Sequence, residues 1–247
     1  MSLLLIDISN TRTKLAQATL DAVDPGDKKV IPTADLSEES LNSALKNVDA
    51  PDRVILSSVV PKKNQEVLNA FGDSKVLVLH HSLDLGISID YPNPDSIGAD
   101  RLANAAAANA IFGSPCVVVD FGTAVTFDIL SPEGAYCGGV IAPGLDAMTE
   151  YLHRRTALLP EIDLEEPESV IGKSTVQAML AGAVYGYRGL VKEIIAQISE
   201  EVAGGEPIAA VATGGYASLM SKGVAEIGTV HETLTLEGLR IAATRNP

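Results

Sequence analysis

Leu3-Leu4-Leu5-Ile6-Asp7-Ile8-Ser9-Asn10-Thr11-Arg12-Thr13-Lys14 is an apolar run that ends on a carboxylate, passes through hydroxyl and amide side chains, and starts a second run. Val117-Val118-Val119-Asp120-Phe121-Gly122-Thr123-Ala124-Val125-Thr126-Phe127 repeats that plan. With Asp7 laid on Asp120, Thr13 falls on Thr126. Each copy predicts a strand, a tight turn and a second strand, with the acid and the hydroxyls gathered at the turn. A carboxylate at the end of a buried strand is costly unless something pairs with it. One such turn in each half points to two halves closing on one charged ligand, and a metal–nucleotide complex fits that description.

The bulk properties narrow the ligand. At 247 residues the chain holds one large domain or two small, tightly joined ones. Aromatic residues make up only 4% and Trp is absent, so Leu, Val, Ile and Ala must fill the core. A net charge of −14 argues against nucleic acid or an anionic membrane as partner. A phosphate ligand would then depend on a few cationic groups, metal ions or helix N-termini. Cys116 and Cys137 are the only cysteines, which makes a disulfide framework implausible and a reducing, cytoplasmic location the expectation. The Leu3–Ile6 run is too short to span a membrane, and no signal-peptide pattern opens the chain.

Strand and helix signals alternate from end to end. Residues 2–20 read as a hairpin, 37–48 as a helix with Ser37 as N-cap, Val54–Val60 as a buried strand, 62–71 as a short helix and Val76–Leu79 as a strand. An Ala-rich helix is expected from Ala99 to Phe112, stopped by Gly113 and Pro115. In the second half Val117–Val119, Gly138–Ala142 and Ile208–Ala212 read as strands. Helices are expected at 145–156, at 174–202, after Thr213-Gly214-Gly215, and from Leu234 onward. The apolar stripe of 174–202 (Val176, Met179, Leu180, Val184, Tyr187, Val191, Ile194, Ile198) reads as core or dimer interface. The pattern predicts an α/β protein of two similar lobes, residues 1–114 and 115–247.

Familiar motifs are absent. Gly172-Lys173-Ser174-Thr175 resembles the tail of a P-loop, but Pro167 stands where the first glycine belongs. No G-x-G-x-x-G follows a strand, no G-x-S-x-G elbow occurs, and the four histidines lack zinc-ligand spacing. Asp120-Phe121-Gly122 lacks the companions of a protein-kinase signature. What remains is the aspartate and glycine-turn system. The carboxylate of Asp7 suits Mg²⁺, directly or through water, while Ser9, Asn10, Thr11, Thr13 and Lys14 suit triphosphate oxygens; a plain hairpin turn would use the same residue types. Gly98-Ala99-Asp100-Arg101 opens the Ala-rich helix, where Asp100 could accept a hydroxyl proton and Arg101 hold an anionic group. N-capping alone would also explain an acid there.

Together these stretches resemble the type III pantothenate kinases of the actin/hexokinase/Hsp70-like ATPase superfamily. The resemblance runs through Asp7–Thr11, Tyr91-Pro92-Asn93-Pro94, Gly98–Arg101, Asp120–Ala124, Gly138–Gly144, Leu159-Pro160, Gly172–Thr175, Thr213–Gly215 and Leu234–Leu239. It implies two ribonuclease-H-like lobes with an ATP cleft, a homodimer, and ATP-dependent phosphorylation of pantothenate to 4'-phosphopantothenate, the first step of coenzyme A synthesis. It further implies that Asp7, Ile8, Ser9, Asn10, Thr11, Arg12, Thr13 and Lys14 bind ATP phosphates with Mg²⁺, and that Thr123 contacts ATP. Asp100 would be the base, while Tyr91, Gly98, Ala99, Arg101 and Thr175 would line the pantothenate site. Asp120 would hold K⁺ or NH₄⁺. One departure stands out: Ser9 occupies a position where the family usually has Gly. That departure keeps a second reading open, a nucleotide-binding regulator of the same family without kinase activity.

Overall fold

The computed structural model describes residues 1–24, 26, 28–46 and 48–247. They form two compact units: Met1–Gly113 with Ala135–Cys137 and Thr233–Pro247, and Ser114–Gly134 with Gly138–Glu232.

In the first unit the opening apolar run becomes β1 (Leu3–Ile8), paired antiparallel to β2 (Arg12–Ala18) and parallel to β4 (Arg53–Ser58). With β3 (Lys29–Pro32) and β5 (Val76–Val78) the order is β3-β2-β1-β4-β5. Every residue of β1 is buried, which is why it reads as a continuous apolar run and not as an alternation. On one face Leu4, Ile6 and Ile8 join Leu15, Leu41, Leu56 and Val67 in a single core. That face carries α1 (Glu38–Ala44) and α2 (Asn64–Phe71). Ser37 caps α1 as expected, in a capping box with Ser40, but the helix ends at Ala44. Asn47, inside the helix expected over 37–48, lies outside the described residues.

The other face is covered by α3 (Ala99–Phe112) and, from the chain's end, α7 (Leu234–Arg245). The two helices meet closely because Gly238 has no side chain: a Cβ there would lie 2.0 Å from the Ala103 carbonyl oxygen. A buried hydrogen bond from Thr235 Oγ1 to Asn104 Oδ1, 2.8 Å, fixes their register. The closing helix therefore belongs with the first unit, and a division at 114/115 separates it from the sheet it covers. Ala135–Tyr136 also belong there, pairing in parallel with β6 (Ser88–Ile89).

The second unit repeats the frame. Its central strand β7 (Cys116–Phe121) pairs antiparallel to β8 (Ala124–Leu130) and parallel to β10 (Ala209–Gly214). β9 (Ala135–Pro143) and β11 (Thr229–Val230) flank them in the order β11-β10-β7-β8-β9. Val117, Val119 and Phe121 pack against Leu180, Val184, Tyr187, Val191, Ile195 and Ile198 of α5 (Thr175–Ala203). Most of the α5 stripe is thus core, while Val176 at its start is exposed. α4 (Leu145–Arg155) and α6 (Ala217–Ser221) complete the unit. Arg188 of α5 is buried but satisfied, with a bidentate pair to Glu166 at 2.8 and 2.7 Å and bonds to the Leu219 and Met220 carbonyls. Among the described residues no helix is long and apolar enough to cross a membrane.

Candidate active site

In the first unit the acid turn sits at the carboxyl ends of parallel β1 and β4, where open α/β sheets place their ligands. Asp7 is 1% exposed, so its charge must be met locally. Ser57 Oγ donates to Asp7 Oδ1 at 3.1 Å, and Ser9 Oγ donates to Asp7 Oδ2, also at 3.1 Å. Lys14 Nζ lies 3.7 Å from Asp7 Oδ2. Strand register explains both long-range partners, because Asp7 is paired with Lys14 across β2 and with Ser57 across β4.

The turn itself presents Asn10, Thr11 and Arg12 to solvent. Two expected phosphate ligands do not present side chains there. Ile8 is fully buried in the core. Thr13 is fully buried and hydrogen-bonded to Thr33 Oγ1 at 3.0 Å, while Thr33 donates to the Ser9 carbonyl at 2.7 Å. Thr33 spends its proton on Ser9, so Thr13 is the donor of that pair. No described non-glycine residue has positive φ, so Ser9 carries no left-handed strain in place of the usual glycine.

The second cluster of this unit is the first turn of α3. Gly98 is its N-cap with φ −58°, so glycine is not required for conformation. What it gives is space for the carboxylate: a Cβ at position 98 would lie 2.6 Å from Asp100 Oδ1, so that side chain would have to shift, and 3.4 Å from Val59 Cγ1. Asp100 Oδ1 also accepts the Arg101 N–H at 2.8 Å. Val59 joins the two clusters, since its N–H donates to the Ile8 carbonyl at 3.0 Å. The Arg101 guanidinium lies 5.8 Å from the Tyr136 ring centroid, and Tyr91 meets the same ring edge-on at 6.1 Å. Arg101 and Tyr91 thus share the Tyr136 ring, and Asp100, Gly98 and Ala99 lie beside Arg101 at the start of α3.

In the second unit Asp120 is the last residue but one of β7, with Thr126 opposite on β8 and Thr213 beside it on β10. Gly214 has φ +94°, and a Cβ there would lie 2.5 Å from Asp120 Oδ1 and 2.6 Å from the Phe121 carbonyl oxygen. Two oxygens thus converge where only glycine leaves room. Gly144 is under similar pressure, with its Cβ position 2.2 Å from the Thr123 carbonyl oxygen. Tyr187 Oη contacts the Pro143 and Gly144 carbonyl oxygens at 2.9 and 3.1 Å, and burial raises its pKa. Thr123 is exposed at the turn. Thr175 is exposed one position after Ser174, the N-cap of α5. Gly172–Thr175 is thus a helix start: Ser174 Oγ accepts from Gln177 N, and Gln177 Oε1 accepts from Lys173 N.

The ungapped overlay of the two turns is off by one. Register places Lys14, not Thr13, opposite Asp7, while Thr126 does stand opposite Asp120. The first turn is one residue longer, 8–13 against 121–125. Ser57 and Tyr136 escaped the sequence reading. The signal for Ser57 was a hydroxyl closing a buried strand, as Thr213 does in the other unit.

Among the described residues no three His, Cys, Asp or Glu side chains gather as a metal cluster. Mg²⁺ commonly arrives with substrate phosphates and keeps several waters, needing only one or two carboxylates. Asp7 fits that demand. The oxygens at Asp120, Phe121, Thr126 and Thr213 are hard donors of the kind a monovalent cation takes.

Known proteins resemble this chain along its whole length. Residues 3–197 match the family model described as type III pantothenate kinase. A type III pantothenate kinase of Akkermansia muciniphila is 53% identical over 249 residues, spanning 100% of both chains, so the likeness includes both units. One from Methylacidiphilum infernorum is 44% identical and spans 97% of this chain and 87% of its own. Among solved structures, a Campylobacter jejuni protein described as a Baf family transcriptional activator has a TM-score of 0.65 at 19% identity, spanning 99% of this chain and 98% of its own. The activator of 2-hydroxyisocaproyl-CoA dehydratase from Clostridium difficile, solved with bound ADPNP, has a TM-score of 0.51 at 14% identity, spanning 99% of this chain and 93% of its own. At such identities these structures show the fold, which is that of the actin-like ATPases.

Proposed function

Because the chain belongs to the type III pantothenate kinase family, it transfers the γ-phosphoryl group of ATP to pantothenate, giving 4'-phosphopantothenate as the first step of coenzyme A biosynthesis, and we propose that three carboxylates divide that work. Asp100 is the base that accepts the proton of the pantothenate hydroxyl. The observation that carries this assignment is the Gly98 space: the chain gives up a side chain so that the Asp100 carboxylate can stand at the helix N-terminus beside Arg101. A negative group is favoured at that end of a helix, and Arg101 and Lys14 offset charge on the anionic substrates. Tyr91, Gly98, Ala99 and Arg101 line the pantothenate site.

Asp7, with Ser9, Asn10, Thr11, Arg12 and Lys14, takes the ATP phosphates and their Mg²⁺. Bound Mg²⁺ would neutralise charge on the transferring phosphoryl group. The chain's own contribution is placement of the two substrates for in-line transfer. Ile8 and Thr13 act through the backbone and the packing that hold this turn. Asp120, with the oxygens around it, holds K⁺ or NH₄⁺, and Thr123 meets ATP.

The active species is a homodimer. Ile141, Tyr151, Leu158, Val170, Ile171 and Val176 of the second unit are large apolar side chains standing exposed, an arrangement typical of an interface. Thr175, exposed beside Val176, would reach pantothenate from that surface. Two cysteines outside any disulfide and an ATP substrate fit the cytoplasm. The regulator reading rested on Ser9, whose backbone here asks nothing that only glycine supplies.

A coupled ADP-release assay with ATP, Mg²⁺ and pantothenate, run in K⁺ and in Na⁺, tests these roles. Pantothenate-dependent turnover that requires K⁺ is expected. Turnover indifferent to the monovalent cation would remove the role given to Asp120, and nucleotide binding without turnover would restore the regulator reading.

A further inference from the structure

Tyr136 is the second residue of β9, two before Gly138-Gly139, and its ring is fully buried. A buried tyrosine in an apolar strand is ordinarily core and nothing more. This one has unusual neighbours. The Arg101 guanidinium stands 5.8 Å from its ring centroid, and the half-exposed Tyr91 ring meets it edge-on at 6.1 Å. Its backbone is held as well: Tyr136 pairs with Ile89 of β6, and its carbonyl accepts the Asp90 N–H at 2.9 Å. One residue thus ties together the strand that leads into Tyr91 and the side chain that leaves the first turn of α3.

We infer that Tyr136 is a positioning residue for pantothenate, its ring holding Arg101 and Tyr91 in the geometry that receives the substrate. The inference rests on the pantothenate site proposed above and deepens it. An arginine side chain loses considerable rotamer freedom when fixed, and that cost falls on substrate affinity unless the free enzyme has already ordered the side chain. An aromatic face within about 6 Å of a guanidinium supplies such ordering, and an edge-to-face partner does the same for Tyr91. Tyr136 touches no substrate in this account. It acts through two residues that do.

The test separates ring electrostatics from ring volume. Tyr136→Phe and pentafluorophenylalanine at position 136 keep the shape, but fluorination reverses the charge distribution of the face. KM for pantothenate and KM for ATP are measured for both, with Arg101→Ala as control and with the fluorinated ring combined with Arg101→Ala. The fluorinated ring is expected to raise KM for pantothenate about five- to tenfold, with Tyr136→Phe near wild type and KM for ATP within about twofold throughout. Added to Arg101→Ala, its further effect should shrink to the part that passes through Tyr91. If Arg101→Ala raises KM for pantothenate and the fluorinated ring does not, Tyr136 is core alone and the inference is overturned while the site stands. If neither change moves KM for pantothenate, the substrate role of Arg101 fails and takes the inference with it.

Discussion

Asp7 and Asp120 hold the same place in their units, each near the carboxyl end of a central strand with an antiparallel neighbour on one side and a parallel one on the other. Their neighbours across the strands differ. Opposite Asp7 stands Lys14, and beside it Ser57; opposite Asp120 stands Thr126, and beside it Thr213. One repeated frame therefore carries two chemistries. The first acid has a cation built into the neighbouring strand, and ATP phosphate with Mg²⁺ is the ligand proposed for it. The second has hydroxyl residues as its strand neighbours, and K⁺ or NH₄⁺ is the ligand proposed for it. Asp100 belongs to neither turn: it stands in the first turn of α3, two residues after the Gly98 N-cap, as Asp146 stands after Gly144 in α4.

The largest effect should come from Asp100, the acid outside both turns. Asp100→Asn keeps the shape of the first turn of α3 and should lower kcat by about 10²–10⁴ with the fold intact by circular dichroism. Full activity in this variant would remove Asp100 as base and leave the chemistry to the two turns.

Next comes the glycine that shapes the second turn. Gly214→Ala must adopt φ near +94° and place a methyl group 2.5 Å from Asp120 Oδ1. Strain and overpacking together should destabilise the protein by about 2–4 kcal/mol, read from the denaturation midpoint, and weaken any response to K⁺. An unaltered midpoint would mean that the oxygens around Asp120 are not packed as described.

Ser57→Ala tests the first turn in the same way. It removes the hydroxyl that satisfies a buried carboxylate oxygen, which should cost about 1–3 kcal/mol of stability and raise KM for ATP more than KM for pantothenate. Equal changes in both KM values would detach Asp7 from the nucleotide. Ser9→Gly should do least. The lost bond to Asp7 is half-exposed and the backbone is unstrained, so turnover should stay within about twofold of wild type. A large gain in turnover would show that the Ser9 side chain obstructs the phosphates.

Much of this frame could be read in the residues. The hairpins that open each unit follow from apolar runs ending in Asp, and α3 has the expected bounds because Gly98 and Gly113 bracket it. Three strands were not legible. β3, β6 and β11 are 4, 2 and 2 residues long, too short for a periodic signal. The allegiance of α7 was hidden for another reason. Its apolar stripe says that it is buried, but only the contact of Gly238 with Ala103 says against what. In the site, Asp100, Arg101 and Asp120 were visible because a charge at the edge of an apolar element needs an explanation. Thr13 misled because hydroxyls near a turn look alike, and a shift of one residue moves a side chain to the opposite face of the sheet. Tyr136 was invisible because a tyrosine in an apolar strand looks like core until the guanidinium above it is seen.

The difference between the two turns can be tested by moving the lysine. Thr126→Lys places an ammonium opposite Asp120, where Lys14 stands opposite Asp7. The measurement is the ratio of pantothenate-dependent turnover in K⁺ to that in Na⁺, for wild type and for this variant side by side. The account predicts a ratio well above one in wild type and a collapse toward one in Thr126→Lys, because the side chain takes the place of the ion. A wild type indifferent to K⁺, or a variant that keeps the full ratio, would contradict it.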